Sequence, residues 1–176
     1  MEASTVSAIL APAAIIVPIA SIAIAIVAGT PGAHQLRALL LARGRWMAFA
    51  VAAIAMAGSL FYSEVAHFPP CEMCWFQRIA MYPLAIVLLV AAITRDDRAW
   101  RYAVPLASIG LLVSLYHYQL ELFPNQPSAC STTIPCSVRF VSEFGFVSIA
   151  FMAGAAFISV LALQLAMARA RRGATA

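Results

Sequence analysis

The stretch PPCEMCWFQRIAMYPLAIVLLVAAIT, residues 69–94, decides how this chain folds. It opens with two prolines, continues with a CxxC motif and an arginine, and ends in a long apolar run. A membrane-spanning helix needs roughly 20 predominantly apolar residues, and the run is that long. Because proline disfavours helix in the residue before it, we predict that the helix begins at the CxxC motif. Cys74 would then lie in or next to the first turn.

The composition of the whole chain agrees with a lipid environment. The 176 residues are 64% hydrophobic and 10% charged, with a mean hydropathy of +0.91. A soluble domain averages about half apolar and a quarter charged residues, so this chain carries more apolar surface than a soluble core could hide. The formal net charge of +4 is the balance of eleven basic residues, all arginines, against seven acidic residues. The positions of the arginines, given below, argue against a nucleic-acid partner.

Five segments are long and apolar enough to span a membrane, and lipid forces each to be helical because it offers the backbone no hydrogen-bond partner. We therefore predict an all-α membrane protein and treat residues 1–176 as a single integral membrane domain. The predicted spans are Val6–Ala28, Trp46–Ala66, Cys74–Thr94, Trp100–Leu122 and Phe144–Ala168.

The first segment could instead be a cleaved signal peptide. Such peptides begin with a basic region, whereas this chain carries Glu2 there and has no charge over Ala3–Ala33. That uncharged stretch is also longer than the apolar region of a usual signal peptide. The composition favours a spanning helix.

The arginines predict the orientation of the bundle. Nine of the eleven fall between spans one and two, between spans three and four or at the very start of span four, and after span five. Cytoplasmic loops of membrane proteins carry an excess of basic residues, so this side is predicted to be cytoplasmic. The N-terminus and both cysteine-containing loops would then lie on the extracytoplasmic side of the cell membrane.

The four cysteines form two close pairs, Cys71 with Cys74 and Cys130 with Cys136. Both pairs are predicted to lie on the extracytoplasmic side of the membrane, where disulfides form and persist. A structural zinc site is disfavoured because the second pair has five intervening residues, where zinc knuckles have two to four. A plain structural disulfide would explain the second pair well and the CxxC pair poorly, because the small CxxC ring is typically redox-active. We expect no metal ligands.

Two ionisable residues lie near the same predicted depth as the CxxC motif. Arg78 follows Cys74 by four residues, on the same helix face, and its cation and the helix N-terminus would favour a Cys74 thiolate. His117 lies near the outer end of the fourth span, and Glu121 one turn later could orient it or face the lipid headgroups. The alternatives are an arginine that reaches to the headgroups and a histidine that only hydrogen-bonds between helices.

Aromatic residues surround this region of the sequence. Trp75, Phe76, Tyr116 and Tyr118 could wall a pocket, although such residues more often form the aromatic belt at the membrane interface. An anionic cysteine beside a cation at membrane depth suits a reaction with a lipid-soluble electron carrier, because the cation can stabilise an oxyanion formed on reduction.

The motif CEMCWFQR, the later YHYQLELFP and the loop with two further cysteines together resemble the disulfide bond formation protein B (DsbB) family, especially its BdbC-like branch. The resemblance covers about residues 46–168. It implies a four-helix transmembrane bundle, to which the segment 6–28 adds one extra N-terminal transmembrane helix without an assigned role. The vitamin K epoxide reductase family has similar parts, but its CxxC motif comes last, whereas here it comes first.

The resemblance also implies an activity. Members oxidise an extracytoplasmic thioredoxin-fold (DsbA-like) dithiol partner and pass the electrons to a membrane quinone, ubiquinone or menaquinone. By position, Cys130 would form the mixed disulfide with the partner and Cys136 would be its companion. Cys71 would exchange with that pair, and Cys74 would face the quinone, with Arg78 and His117 near its ring.

Two rival functions come from different classes. In a structural membrane protein, the cysteines would only staple the loops. A reductive thiol transporter would need cysteines within the spans or on the cytoplasmic side, which the predicted topology does not offer. The second cysteine loop, about Phe123–Glu143, is also short, so exchange between the loops has less room here than in family members with long loops.

Overall fold

The computed structural model describes residues 2–127, 130 and 134–174. The described part of the chain is all-helical, with one isolated antiparallel bridge between Glu143 and Val147 and no strand. Five helices are long and apolar enough to cross a membrane, which confirms the predicted all-α membrane class. The helices are α1 (Ala3–Ala28), α2 (His34–Leu60), α3 (Glu72–Thr94), α4 (Trp100–Leu122) and α5 (Ile149–Ala174).

Four of the helices form a closed bundle, and the first helix lies outside it. α2 packs on α3, α3 on α4, α4 on α5, and α5 returns to pack on α2. α1 packs chiefly along α5 and contacts α2 far less. The prediction of a four-helix core with one extra N-terminal helix is therefore confirmed.

The helices alternate in direction, so the bundle has two distinct ends. One end, here called the cysteine end, holds the loop between α2 and α3, the loop between α4 and α5, and the start of α1. The opposite end, here called the arginine end, holds the connections that carry most of the arginines. The two loops that carry the cysteines therefore lie at the same end of the bundle.

The core depends on small residues that let the helices approach closely. Alanines of α2 and α4 face larger side chains of α3 and α5, an arrangement typical of helix packing in membranes, where close contact replaces the hydrophobic effect. The ring of Phe157 is fully buried and lies directly over Gly110 of α4. The buried core residues include Ala48, Ala52, Leu84, Leu88, Ala103, Ala107, Phe157 and Val160.

Two helix starts differ from the sequence prediction. α2 begins at His34, well before the predicted Trp46, because the segment QLRALLLA after His34 consists mostly of strong helix formers. α5 begins at Ile149, later than the predicted Phe144, because Phe144 and Gly145 have φ values of 52° and 78° and turn the chain. The amide of Phe151 donates to Ser148 Oγ at 3.2 Å, which caps the new start.

Arginines fasten the end of α1 to the rest of the bundle. Arg37 donates to the carbonyls of Ala28 and Thr30, at 3.0 and 2.7 Å, and Arg169 donates to the carbonyl of Ala25 at 2.7 Å. The last carbonyls of a helix lack intrahelical partners, so these bonds satisfy groups that would otherwise need water. Arginines at the arginine end therefore have a structural role.

We predict that Gly110→Ala destabilises the bundle. A methyl group at this position would overlap the buried Phe157 ring, and such overpacking costs about 1–3 kcal/mol. The expected result is a lower melting temperature for the purified protein in detergent. Gly154→Ala is the matched control, because its added carbon would meet only Ser114 Cβ at an ordinary 3.4 Å. Equal melting temperatures for the two variants would contradict this account of the core.

Candidate active site

The start of α3 positions the CxxC motif. Pro69 and Pro70 hold the preceding chain out of helix, and Cys71 is the N-cap with an extended backbone, φ −77° and ψ 173°. The amide of Cys74 donates to Cys71 Sγ at 3.4 Å, so the cysteine side chain serves as the cap. The predicted helix start at the motif is confirmed, with Cys74 in the first turn.

Three potentially reactive side chains meet at this helix start. The sulfurs of Cys71 and Cys74 are free thiols 2.9 Å apart, and Cys71 Sγ lies 3.6 Å from His117 Nε2 of α4. Cys71 and His117 are both buried, with 5% and 3% of their surface exposed. The histidine therefore contacts the sulfur that lies just outside the membrane span, at the point where α3 and α4 meet.

These contacts lower the pKa of Cys71 to about 4. The hydrogen bond from the Cys74 thiol is the largest cause, because it stabilises the thiolate. The hydrogen bond and charge of His117 act in the same direction, and burial opposes them. A thiolate is the reactive form of cysteine in disulfide exchange, so Cys71 is activated at neutral pH.

The sequence had placed this activation on Cys74 instead. The helix N-terminus offers its free amide to the residue in the cap position, and that residue is Cys71. In the structure, the sulfur that accepts the hydrogen bond therefore belongs to Cys71, three residues before the expected Cys74. Arg78 remains one turn after Cys74, on the other side of the motif from His117.

The second pair of cysteines forms a disulfide, Cys130–Cys136. It packs against the CxxC motif, so all four sulfurs belong to one apolar cluster at the cysteine end, together with Met73, Val113, Leu120 and Ile134. Cys136 is 2% exposed, whereas Cys130 is only partly buried. Cys130 is thus the half of the disulfide that is open to an incoming thiol.

An acidic residue lies between the two pairs. Glu72 follows Cys71 directly, and its Oε2 lies 3.9 Å from Cys136 Sγ. A carboxylate at this distance can take part in proton transfer to or from a sulfur. The helix N-terminus also suits an acidic residue in its first turn, so Glu72 has a structural role as well.

A cavity of about 200 Å³ opens on the other side of the CxxC motif. It lies between α1, α2, α3 and α5 and is lined mainly by apolar side chains, with Cys74 and Arg78 in its wall. His117 is not among the lining residues. The two sulfurs of the motif therefore face different surroundings: Cys71 faces the histidine, and Cys74 borders the cavity.

Arg78 is held in the cavity wall by α2. Its Nε donates to Ser59 Oγ and one terminal nitrogen donates to the Ser59 carbonyl, both at 3.0 Å. Its guanidinium also lies 5.3 Å from the centre of the Trp75 ring. Within the described chain, the hydrogen bonds of Arg78 use only these two nitrogens, which leaves the second terminal nitrogen as a donor. Arg78 is thus anchored at the protein rather than extended toward headgroups.

The aromatic residues of the cavity differ from the four that the sequence offered as a pocket wall, for which the interfacial belt was the favoured alternative. Trp75, Phe76, Tyr116 and Tyr118 do not line it, and Trp75 and Phe76 are about half exposed, as in an interfacial belt. The aromatic wall, which the sequence did not indicate, is formed by Tyr62, Phe68, Tyr82, Phe140 and Phe157. Only Tyr82 carried a usable signal, because it follows Arg78 by one helical turn.

Glu121 is buried and pairs with an arginine from the second loop. Its Oε2 lies 3.6 Å from Arg139 Nε, and its side chain is 3% exposed, so it does not face the lipid headgroups. It lies one turn after His117 on the same face of α4. His117 Nδ1 has no hydrogen-bond partner among the described residues, so Glu121 orients the histidine at most through its field.

The cluster also has the spacing of a metal-ligand set. The ligand atoms of Cys71, Cys74 and His117 all lie within 4.8 Å of one another. A structural zinc site uses four ligands, and the other two cysteines of the described chain are joined in a disulfide. The free thiols, the activated sulfur and the adjacent disulfide together suit thiol exchange better.

Comparisons with known proteins point to one family. The sequence model described as "Disulfide bond formation protein DsbB" matches residues 41–167. The chain is similar to the "Probable disulfide formation protein" of Oceanobacillus iheyensis, with 49% identity over 66% of this chain and 82% of the relative. It is also similar to "Disulfide bond formation protein C" of Bacillus subtilis, with 42% identity over 66% and 86% of the two chains. No solved structure gave a significant match.

We predict that Cys71 reacts as a thiolate down to acidic pH. With a pKa of about 4, its alkylation by iodoacetamide should stay constant from neutral pH to about pH 6 and fall to half near pH 4. Removing the favourable contact in His117→Asn should move this midpoint upward. Mass spectrometry of the reduced, alkylated protein would assign the label to Cys71.

His67→Asn is the matched control for this experiment. His67 lies in the same cysteine-end region but is exposed, and asparagine tolerates its left-handed backbone, φ 55°. The control should keep the wild-type midpoint. A wild-type midpoint between pH 8 and pH 9, as in a free cysteine, would contradict the assigned activation.

Proposed function

Because the chain belongs to the DsbB family of disulfide bond formation proteins, we propose that it is a membrane thiol oxidase that reoxidises a thioredoxin-fold dithiol partner and passes the electrons to a membrane quinone. The observation that carries the proposal is the position of the two CxxC sulfurs. Cys71 packs in one cluster with the Cys130–Cys136 disulfide, and Cys74 borders an apolar cavity beside Arg78. The motif thus connects a disulfide to a site for an apolar molecule.

The cavity suits a quinone on chemical grounds. Its lining is apolar, as an isoprenoid ring compound requires, and its few polar groups include a cation with a spare donor. Arg78 would hold a ring carbonyl, because a guanidinium stabilises the negative charge that such an oxygen gains on reduction. When bound, a quinone would accept the two electrons and two protons that the thiols of Cys71 and Cys74 lose when they form a disulfide.

The first step of the proposed relay takes place at the partly exposed disulfide. A thiolate of the partner attacks Cys130 Sγ, and the bond to Cys136 breaks, releasing a Cys136 thiolate. The second thiol of the partner then attacks the mixed disulfide and releases Cys130. The partner leaves as a disulfide, and its two electrons remain on Cys130 and Cys136. The greater exposure of Cys130 supports its role as the attacked sulfur.

The second step moves the electrons inward. With the CxxC pair oxidised, the Cys136 thiolate attacks Cys71 Sγ and releases Cys74. Cys130 then attacks Cys136 Sγ, which restores the loop disulfide and releases Cys71. Stabilisation of the Cys71 thiolate by His117 and by the Cys74 hydrogen bond makes it a good leaving group in this last exchange. His117 thus acts on the sulfur, and a place near the quinone ring remains a prediction.

We further propose that the cysteine end faces the extracytoplasmic side and that the whole chain acts as one membrane domain. The excess of arginines at the opposite end supports this orientation through the positive-inside rule. An oxidising compartment also suits a standing loop disulfide. The N-terminus, at the start of α1, would lie on the same side as the cysteines.

We predict that Cys74→Ser reduces quinone turnover to the background rate. The substitution removes one of the two sulfurs of the CxxC disulfide, so the thiols can no longer deliver two electrons to an acceptor in the cavity. The measurement is reduction of a short-chain ubiquinone, followed by absorbance, with a reduced thioredoxin-fold oxidase as electron donor. Undiminished turnover in this variant would contradict the proposed relay and favour the alternative in which the cysteines only form structural disulfides in the loops.

The same variant provides an internal control. A stoichiometric amount of the reduced partner should still open its Cys130–Cys136 disulfide, because that exchange needs neither CxxC sulfur. Thiol trapping with a mass-tagged maleimide would count the new thiols. An intact loop disulfide after this treatment would argue against Cys130 as the attacked sulfur.

We predict that Arg78→Gln raises the apparent KM for quinone by about tenfold or more. A hydrogen bond from a charged donor contributes about 1.5–3 kcal/mol, and each 1.4 kcal/mol corresponds to a factor of ten. Arg101→Gln is the matched control, because Arg101 also lies beside a tryptophan ring but at the arginine end. An unchanged KM in Arg78→Gln would contradict the assigned role of this arginine.

A further inference from the structure

The first helix has no counterpart in the part of the chain that matches the family. The match begins at residue 41, whereas α1 ends at Ala28. Nevertheless, α1 contributes to the wall of the cavity that holds Cys74 and Arg78. Its lining residues, from the cysteine-end half and the middle of the helix, are Leu10, Ala13, Ala14, Val17 and Pro18.

The geometry of the bundle explains why this helix can reach the cavity. Near the arginine end, α2 and α5 pack directly together, with Gly44 against Met167 and Leu40 in one cluster with Ala166. Toward the cysteine end, the cavity lies between them. It is lined by α2 and the turn that continues it over residues 51–63, and by α5 over residues 149–159. Since α1 packs along α5, it covers the side of this opening that the four-helix core leaves to lipid.

A buried hydrogen bond fastens α1 across the opening. Ser7 Oγ and Tyr62 Oη are 2.9 Å apart, and the two residues are 2% and 5% exposed. Tyr62 lies in the π-helical turn, Phe61–Val65, that continues α2, and it lines the cavity as well. Leu10 packs close to Gly58 of α2, one turn further along. The cysteine-end half of α1 is therefore joined to α2 at the mouth of the cavity.

We propose that α1 is the outer wall of the quinone site and that its cavity-facing residues determine how tightly the protein holds an isoprenoid quinone. The inference rests on the function proposed above and assigns a role to the helix that the family core lacks. In a groove open to lipid, acyl chains compete with the quinone for the same apolar surface. A helix across the groove excludes them and adds apolar contact to the ring and the first tail units.

The test compares two substitutions on opposite faces of α1. Ala14→Phe places a ring in the cavity, whereas Ile16→Phe changes a residue that is 62% exposed and faces away from the bundle. The readout is equilibrium binding of decylubiquinone to the full-length protein in detergent, measured by quenching of tryptophan fluorescence. Trp75, beside Arg78, lies next to the site and supplies the signal. We expect at least tenfold weaker binding in Ala14→Phe and wild-type binding in Ile16→Phe.

A second pair of variants distinguishes a loss of wall contacts from a loss of binding that is caused by misfolding. Leu10→Ala removes wall contacts without adding volume and should weaken binding several-fold, whereas Ile9→Ala, at a site 65% exposed, should not. Folding of each variant is checked by the rate at which a reduced partner opens the Cys130–Cys136 disulfide without quinone, and this rate should match the wild type. The cluster that contains this disulfide includes no residue of α1.

The outcomes separate this inference from the proposed function. Equal quinone affinities in the cavity-facing and lipid-facing variants would overturn the assignment of α1 and leave the relay intact. A wild-type protein that binds no quinone at all would overturn the proposed function, and the role of α1 would fall with it.

Discussion

Lipid gives the polypeptide backbone no hydrogen-bond partner, and the rest of this structure depends on that constraint. Every residue that must leave helical geometry is confined to the two ends of the bundle. The CxxC motif, the second cysteine loop and the mouth of the cavity all lie at one of them. The two prolines before Cys71 keep the preceding chain out of helical geometry, so α3 begins directly after Cys71. A free amide in its first turn, that of Cys74, can therefore donate to Cys71 Sγ.

Much of the fold followed from composition, because a membrane permits few alternatives. The five helices and the helix start at the CxxC motif were predicted from the residues themselves, and the four-helix core was predicted from the family resemblance. The starts of α2 and α5 were not, since hydropathy marks where lipid begins and not where helical geometry begins. Left-handed backbone at Phe144 and Gly145 ends the second loop, and no hydropathy value encodes it.

The site was less predictable than the fold, because it depends on contacts between distant segments. The sequence indicated the four cysteines, Arg78 and His117 as chemically important. It could not indicate that Cys71, rather than Cys74, receives the helix amide and the histidine. The partners that hold Arg78 and line the cavity come from α1, α2 and α5, and serine or tyrosine in an apolar span gives no signal of its direction.

The close packing of all four sulfurs in one cluster has a kinetic consequence. Thiols held on a common scaffold meet at an effective concentration set by geometry, which can far exceed that of any free reductant in solution. In the proposed relay, the short second loop therefore favours internal transfer over side reactions, although it leaves less room for rearrangement. A half-transferred intermediate would be short-lived, and small-molecule thiols would intercept it poorly.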